Sequence, residues 1–374
     1  MRFPPFAPVC LLALAPAACS SGSGLSVPDT TSPPLVLASC DATFEVVETD
    51  PPGSGTMYLA TAGDTLLYSP DGSSLLAYSP GSSAPTTLVS GGDPIGYFWV
   101  EGSTVMWTTD RSFWQVPLTG GVPTAFLTPA IYPDVMPDGR ILAHDADAIY
   151  GATVLDSVTA AEDPTITVFR QPFRCPVREI EPCGQVETLA TLSVSPAALL
   201  SQLFDAGDSV LLGDSGGEVF SIPKDGRPAT RVASNLNASA AFLFAPDGPS
   251  AFYASLEDTD RLVSLAFADG NPTPLWPSTQ PTFAATSLAL DASGAAFVAG
   301  TAFIAGSSAS SPPLACPAYG WVPPGGSGAL LGCGAYCGGL SDTQLVTLVA
   351  GDTVLYAKTF SAGTWGIVRL PKQG

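Results

Sequence analysis

The chain has 374 residues and a formal net charge of −20 at pH 7, with 46% hydrophobic and 12% charged residues. This balance argues against intrinsic disorder, which requires low hydrophobicity and high charge. The acidic surface argues against nucleic-acid binding, and against charge-driven attachment to anionic membranes, because phosphate groups are repelled. The 38 glycines and 37 prolines favour many short strands joined by tight turns.

Residues 1–18 predict an export signal. Arg2 is the only positive side chain before an apolar run that ends at Ala15, and small residues then precede Cys19. The run is too short to cross a bilayer as a helix. We therefore expect this segment to be removed from the exported protein.

The Ala-Ala-Cys-Ser stretch around Cys19 resembles the lipobox of bacterial lipoproteins. The resemblance implies that Cys19 carries the lipid and becomes the mature N-terminus. Ser20 implies sorting to the outer membrane. Pro16 stands where that family usually has Leu, which leaves ordinary signal-peptidase cleavage and release into the periplasm or the medium as an alternative.

Residues 19–39 are rich in Ser, Gly, Pro and Thr and predict a flexible tether. No later segment has the length and apolar character of a membrane span. We expect a folded domain over residues 40–374, attached to a membrane only through the lipid and monomeric.

One short pattern, in which a turn leads into a small or polar residue and then an apolar or aromatic run, occurs seven times in this domain. The copies begin at Asp64, Ser103, Gly139, Asp208, Pro249, Gly294 and Asp352. Most intervals are about 40 residues, the period of a β-propeller blade. We read each copy as the second strand of a four-stranded antiparallel blade. The sequence therefore predicts an all-β, seven-bladed β-propeller.

The last copy is followed by one more strand, at residues 367–374, and then the sequence ends. Residues 41–48 precede the first blade and have strand composition. We expect this N-terminal strand to complete the last blade and close the ring, which also protects a sheet edge.

The repeats resemble the bacterial propeller superfamily that includes TolB-like and NHL-like domains. Pro-Asp-Gly turns at Pro70, Pro137 and Pro246 carry this resemblance. It implies a fold and no particular activity.

Two long intervals predict insertions at about residues 157–185 and 302–317. Apart from Cys10 and Cys19, the chain has six cysteines, which an exported protein can pair as disulfides. Cys175 and Cys183 bracket a short loop, and Cys316 and Cys333 flank a predicted hairpin. The pair that remains is Cys40 with Cys337.

His144 is the only histidine, and it stands in the run Ala143-His-Asp-Ala-Asp147 at the end of a predicted central strand. With Asp145 and Asp147 it gives a candidate group in the central funnel, where an imidazole could act as a general base. No GxSxG elbow is present, and a catalytic triad needs a converging nucleophile and acid. We therefore expect a solvated or structural histidine and assign no catalytic residue.

We expect no cofactor and no metal site. Zinc is disfavoured because the chain has no CxxC motif, whereas acidic turns leave Ca²⁺ open as an alternative. The six aromatic residues of the second blade could form a stacking platform, although half of them should pack between blades. They are Tyr97, Phe98, Trp99, Trp107, Phe113 and Trp114.

These expectations combine into one functional hypothesis. The chain is an exported, non-enzymatic binding or scaffold propeller of the bacterial cell envelope, whose partner is an envelope protein, a peptide or a glycan. The alternative is a propeller hydrolase or lyase that uses the funnel near His144.

Overall fold

The protein is described here from a computed structural model. The described residues are 45–49, 58–109, 112–127, 142–155, 165–172, 186–193, 200–214, 217–234, 244–247, 251–255, 262–266, 272–274, 282–291, 293–304, 314–323, 329–333, 344–361 and 364–372. In these ranges every regular element is a β-strand. Within them, no helix is long and apolar enough to cross a membrane.

The described strands form seven four-stranded antiparallel sheets, numbered here in chain order. Sheet 1 contains β2 (Leu59–Ala62), β3 (Thr65–Tyr68), β4 (Leu75–Tyr78) and β5 (Thr86–Val89). Sheet 2 contains β6 (Phe98–Glu101), β7 (Thr104–Thr108), β8 (Phe113–Pro117) and β9 (Thr124–Leu127). Sheet 3 contains β10 (Leu142–His144), β11 (Ala148–Leu155), β12 (Thr165–Pro172) and β13 (Glu187–Ser193).

The remaining sheets follow the same meander. Sheet 4 contains β14 (Leu200–Ala206), β15 (Ser209–Asp214), β16 (Val219–Pro223) and β17 (Thr230–Ala233). Sheet 5 contains β18 (Phe244–Asp247), β19 (Ala251–Ser255), β20 (Leu262–Ala266) and β21 (Pro272–Pro274). Sheet 6 contains β22 (Thr282–Leu290), β23 (Ala296–Ile304), β24 (Leu314–Val322) and β25 (Ala329–Cys333). Sheet 7 contains β26 (Gln344–Ala350), β27 (Val354–Ser361), β28 (Thr364–Pro371) and β1 (Glu45–Thr49).

The first strands of successive sheets touch one another and form a closed cycle. Contacts join β2 to β6, β10 to β14, β14 to β18, β18 to β22, β22 to β26, and β26 back to β2. Between sheets 2 and 3, Trp99 of β6 stacks against His144 of β10. The sheets therefore surround a common axis, as the blades of a β-propeller do.

The N-terminal strand closes this cycle as the sequence predicts. In the antiparallel pairing of β1 with β28, Val46 lies opposite Val368 and Thr49 lies opposite Gly366. Tyr68 of sheet 1 donates a hydrogen bond to Glu48. The edge of β28 is thus covered, and β1 is also tied to the neighbouring sheet. The first part of the predicted strand, 41–44, lies outside the described residues.

The core lies between neighbouring sheets, where alternate residues of each strand meet the facing sheet. Between sheets 1 and 2, for example, Leu67 packs with Val105, and both are fully buried. Between sheets 3 and 4, Tyr150 packs with Leu212 in the same way. Burying one such side chain gives about 1.5–3 kcal/mol, so these apolar layers supply much of the stability.

In sheets 2 and 4 a short turn joins the third strand to the fourth. The segment 115–124 joins β8 to β9, and 221–230 joins β16 to β17. Gly120 adopts a φ of 86°, a left-handed conformation that favours glycine, and this explains its place in the first of these turns.

The placement of the third repeat copy was wrong. We expected Gly139–Ala143 to be a second strand, but the described part of it belongs to β10, the first strand of sheet 3. The true second strand is β11, which begins at Ala148. Both strands carry short apolar runs beside acidic turn residues, so composition alone does not distinguish them.

The bounds predicted for the two insertions include residues that form strands of the sheets. The span 157–185 includes the strand β12, and the span 302–317 includes the ends of β23 and β24. In β12 the apolar residues Ile166 and Val168 alternate with threonine, so this segment carries the strand period that we overlooked. Residues 156–164, 173–185 and 305–313 lie outside the described part of the chain.

The strand register bears on one predicted disulfide. Cys333 lies opposite Ala318, two residues along β24 from Cys316, so the hairpin brings the two backbones close as expected. The other four cysteines, and Cys19, lie outside the described residues. They are Cys40, Cys175, Cys183 and Cys337.

Candidate functional site

His144, the residue on which the enzyme hypothesis depends, lies at the junction of sheets 2 and 3. It ends β10, opposite Ile149 of β11. Its ring lies 5.2 Å from that of Trp99, centroid to centroid. The side chain is half-buried. His144 therefore takes part in the packing between two sheets.

The partner of His144 is Tyr97, which comes just before β6. The Tyr97 hydroxyl lies 3.1 Å from Nδ1 of His144, and the Tyr97 ring stacks on Trp99 at 5.7 Å. Tyr97 is itself fixed, because its backbone N–H donates to Oγ1 of Thr108. At the adjacent Gly96, a Cβ would come within 2.7 Å of that same Oγ1, so this close approach requires glycine.

Burial makes both members of this pair neutral at physiological pH. It lowers the pKa of His144 to about 4, although the carboxylates of Asp205 and Asp145 act in the opposite direction. It also raises the pKa of Tyr97 above its ordinary value. When the hydroxyl donates to Nδ1, the ring proton is on Nε2. The pair is thus a neutral hydrogen bond between two packed rings.

Asp145 follows His144 and collects hydrogen bonds from several elements. Its Oδ1 accepts from the backbone N–H groups of Asp147 and Ala148, at 2.8 and 2.9 Å. Its Oδ2 accepts from the Tyr150 hydroxyl at 2.6 Å and from Nζ of Lys224 at 2.7 Å. Both carboxylate oxygens are therefore occupied, the second partly by a lysine of the next sheet.

Lys224 bridges two carboxylates. Besides Asp145 it binds Oδ1 of Asp205 at 2.7 Å, and it lies over the ring of Tyr150 at 4.7 Å. The two carboxylates raise the pKa of Lys224 although burial acts against it, and Lys224 helps to hold the pKa of Asp145 well below its usual range. Asp145 and Lys224 therefore stay charged at neutral pH and form an ion pair between sheets 3 and 4.

Only two of the three predicted funnel residues belong to this group. His144 and Asp145 contribute to it, whereas the Asp147 side chain is exposed and only its backbone N–H takes part. Sequence reasoning missed Lys224 and Asp205. A signal was present, because the chain contains very few lysines and Lys224 directly follows a strand of sheet 4.

The aromatic residues of sheet 2 are mostly packing residues. Phe98, Trp99, Trp107 and Phe113 are each no more than 3% exposed, while Tyr97 and Trp114 are half-buried. Trp107 and Trp114 stack on each other at 6.3 Å. The platform for a stacked ligand that the sequence left open is therefore reduced to two half-buried rings.

Among the described residues, no three His, Cys, Asp or Glu side chains lie together in a way that could hold a metal ion. We read Gly139–Ala143 as a second strand, which would put Asp145 and Asp147 in the turn that follows a second strand. They lie instead in the turn between the first and second strands of sheet 3, at the opposite end of the sheet.

Three solved structures show what the backbone of this chain is similar to. A chain in the crystal structure of the mitotic checkpoint complex aligns over 93% of this chain and 97% of its own, with a TM-score of 0.50 and 12% identity. The WD40 β-propeller domain of Doa1 covers 87% of this chain and 97% of its own, at TM-score 0.49 and 8% identity. An inactive virginiamycin B lyase from Staphylococcus aureus, solved with quinupristin, covers 88% of this chain and 100% of its own, at TM-score 0.49 and 10% identity.

No family model matches the sequence, and no curated protein is significantly similar to it. At such low identities the structural likeness shows the fold alone. The closed cycle of antiparallel sheets and this likeness together establish an all-β propeller fold.

Proposed function

We propose that this chain is an exported β-propeller that binds or scaffolds another component of the bacterial cell envelope without catalysing a reaction. The partner would be an envelope protein, a peptide or a glycan. The fold supports this proposal, since propellers present their loops on a rigid ring. The bacterial and envelope parts of the proposal rest on the N-terminal sequence.

The main support for a non-enzymatic function is that the polar side chains near the first strands already bind one another. Asp145 accepts four hydrogen bonds, and Lys224 is shared between sheets 3 and 4. His144 is neutral and bonded to a packed tyrosine. A catalytic group has to reach a substrate, whereas these groups hold sheets together.

We further propose that each of the seven sheets is one blade, and that the ring is a monomeric, seven-bladed propeller closed by β1. The cycle of contacts between first strands and the pairing of β1 with β28 support this proposal. Sedimentation equilibrium should give the mass of one chain. A dimer would contradict the monomeric part.

Lipidation at Cys19 is tested by intact-mass analysis of the protein purified from its native membranes. We expect a chain that begins at Cys19 and carries diacylglycerol. Cys19→Ser should move the protein from the detergent phase to the soluble fraction. An unlipidated chain that begins elsewhere would favour ordinary cleavage instead.

The face that binds the partner can be found by site-specific photo-crosslinking. Val122, 84% exposed, lies in the turn between β8 and β9, and the exposed Asp93 lies at the other end of the sheets, between β5 and β6. A photoreactive residue at each position in turn should trap one recurrent product from one face only. Equal labelling from both faces, unaffected by competition with unlabelled protein, would mean that no specific partner binds there.

One observation favours a second candidate function, a hydrolase or lyase that uses the central funnel. A neutral imidazole can accept a proton, and His144 is neutral at pH 7. His144→Gln distinguishes the two functions. Partner capture that persists in this variant supports a binding protein, whereas loss of turnover on an envelope glycan or peptide, with the fold intact, supports the enzyme.

The proposal includes disulfides Cys175–Cys183, Cys316–Cys333 and Cys40–Cys337, and no cofactor. Peptide mapping under non-reducing conditions should recover these three linked pairs. A calcium chelator should leave the melting temperature unchanged, and a clear decrease would instead favour a Ca²⁺-stabilised propeller.

A further inference from the structure

The contact between Asp145 and Lys224 has a second copy elsewhere in the ring. Nζ of Lys372 lies 2.7 Å from Oδ2 of Asp291, and the side chains of this pair are only 13% and 8% exposed. Asp291 follows the first strand of sheet 6, and Lys372 follows the third strand of sheet 7. Asp145 and Lys224 have the same places in sheets 3 and 4.

The two copies agree atom by atom on the aspartate side. Asp145 donates its backbone N–H to the carbonyl of Ala148 and accepts that residue's N–H at Oδ1. Asp291 has the same exchange with Ala295. Two residues beyond each alanine stands the aromatic ring over which the lysine lies, Tyr150 in one copy and Phe297 in the other, at 4.7 and 5.1 Å.

They also agree on the lysine side. Each lysine directly follows the proline that ends its strand, Pro223 or Pro371. Each also binds an acceptor of its own sheet: Lys224 binds Asp205, and Lys372 binds the carbonyl of Gly351 at 3.0 Å. Each lysine therefore joins the sheet that carries it to the preceding one.

The distribution of lysine along the chain indicates that this position of the repeat specifically uses lysine. The chain has three lysines, and two of them occupy this one position of the repeat. In two other described junctions the aspartate position holds Ala62 or Gly351, and the lysine position then holds Leu118 or Pro80. In these four junctions, lysine occurs only where the preceding sheet supplies aspartate.

We infer that Asp145–Lys224 and Asp291–Lys372 are two copies of one device, an inter-sheet latch that fixes each sheet in position against its neighbour. Apolar layers between sheets hold them together but tolerate sliding, because hydrophobic contact is not directional. A partly buried ion pair fixed by hydrogen bonds has a defined geometry. The latch thus adds positional specificity at two junctions of the ring.

A double-mutant cycle in the full chain tests this inference. We expect Asp145→Asn and Lys224→Met each to raise the unfolding equilibrium constant about thirtyfold, because each removes the ion pair between two partly buried side chains of neighbouring sheets. The double variant should resemble the singles, since either single change already removes the ion pair between the two sheets. Denaturant unfolding followed by tryptophan fluorescence measures all four proteins.

Arg227→Met is the matched control. Arg227 pairs with Asp225 in the same turn as Lys224, but these side chains are 70% and 58% exposed. Exposed pairs contribute little, so this change should alter the constant less than threefold. The inference is overturned if the effects of Asp145→Asn and Lys224→Met simply multiply, or if Lys224→Met behaves like the control.

Acetylation of the lysines gives a local readout that does not require measurable global unfolding. In the folded chain, Lys224 and Lys372 should react at least about tenfold more slowly than in urea. Asp145→Asn should increase the rate at Lys224 alone, and Asp291→Asn that at Lys372 alone. If either variant changes both sites equally, or neither site, the two pairs are not independent latches.

Discussion

The single histidine provides a test of the packing between sheets 2 and 3. Replacement of His144 by Gln removes the only imidazole in the chain and keeps a polar side chain beside Tyr97. We expect the wild-type protein to lose stability as the pH falls from 8 to 5, and the variant to lose about 2 kcal/mol less over this range.

The sign follows from burial, which lowers the pKa of His144 from 6.5 to about 4. In this range the unfolded chain binds a proton that the folded chain excludes. Stability is complete above pH 6.5 and falls as the pH decreases toward 4. At pH 5 the linked loss is about 2 kcal/mol, and it approaches about 3 kcal/mol at lower pH.

Urea unfolding at several pH values, followed by tryptophan fluorescence, measures this loss for the wild type and the variant. Carboxylates contribute equally to both proteins, so their difference isolates the histidine. Asp147→Asn is the control, because this neighbouring side chain is exposed and should leave the pH dependence as it is.

Parallel curves for the wild type and His144→Gln would refute the reasoning. His144 would then titrate alike in the folded and unfolded chains, and the buried contact with Tyr97 could not be correct. A curve that is steeper in the variant would contradict even the direction of the argument.

Three further changes test other parts of the structure. Tyr97→Phe removes the hydroxyl that binds His144 and should cost about 1 kcal/mol in urea unfolding; no change would mean that the bond contributes nothing. Leu212→Ala empties a fully buried position and should cost about 2–5 kcal/mol, whereas the exposed Val122→Ala should cost under about 0.5; similar losses would contradict the inter-sheet core. The pKa of Asp291 is about 2, because Lys372 and nearby hydrogen bonds lower it against the effect of burial. The stability that this carboxylate contributes is complete above pH 3.8 and is lost as the pH falls through 2. Asp291→Asn should abolish this loss of about 2 kcal/mol, and an unchanged acid transition would contradict the ion pair.

Much of the architecture could be predicted because it rests on local patterns. The alternation of apolar residues and the glycine turns mark strands and hairpins, and a repeat of about 40 residues orders them into blades. The closing strand followed from counting, since the last repeat lacked a fourth strand and residues 41–48 offered one. The prediction for sheet 3 was wrong because its first strand, β10, has only three residues. We therefore read this short strand as the second strand of the repeat.

The candidate site could not be predicted in this way. Lys224 and Asp145 are 79 residues apart, and they meet only because two sheets lie side by side in one relative position. Tyr97 and His144 are 47 residues apart and meet for the same reason. No local period encodes such pairs, whereas the shared positions of Lys224 and Lys372 within the repeat could have suggested a common partner.

The attachment of β1 has a mechanical consequence. Glu45–Thr49 lies antiparallel to β28, and Arg369 of β28 binds the Glu45 carboxylate at 2.7 Å. A pull directed along this strand would load all of its cross-strand hydrogen bonds in shear at the same time. Detachment of β1 would then require several backbone hydrogen bonds to break at once, whereas peeling the strand from one end would break them one at a time. The pairing of β1 with β28 would thus resist a force applied along β1 before the ring opens.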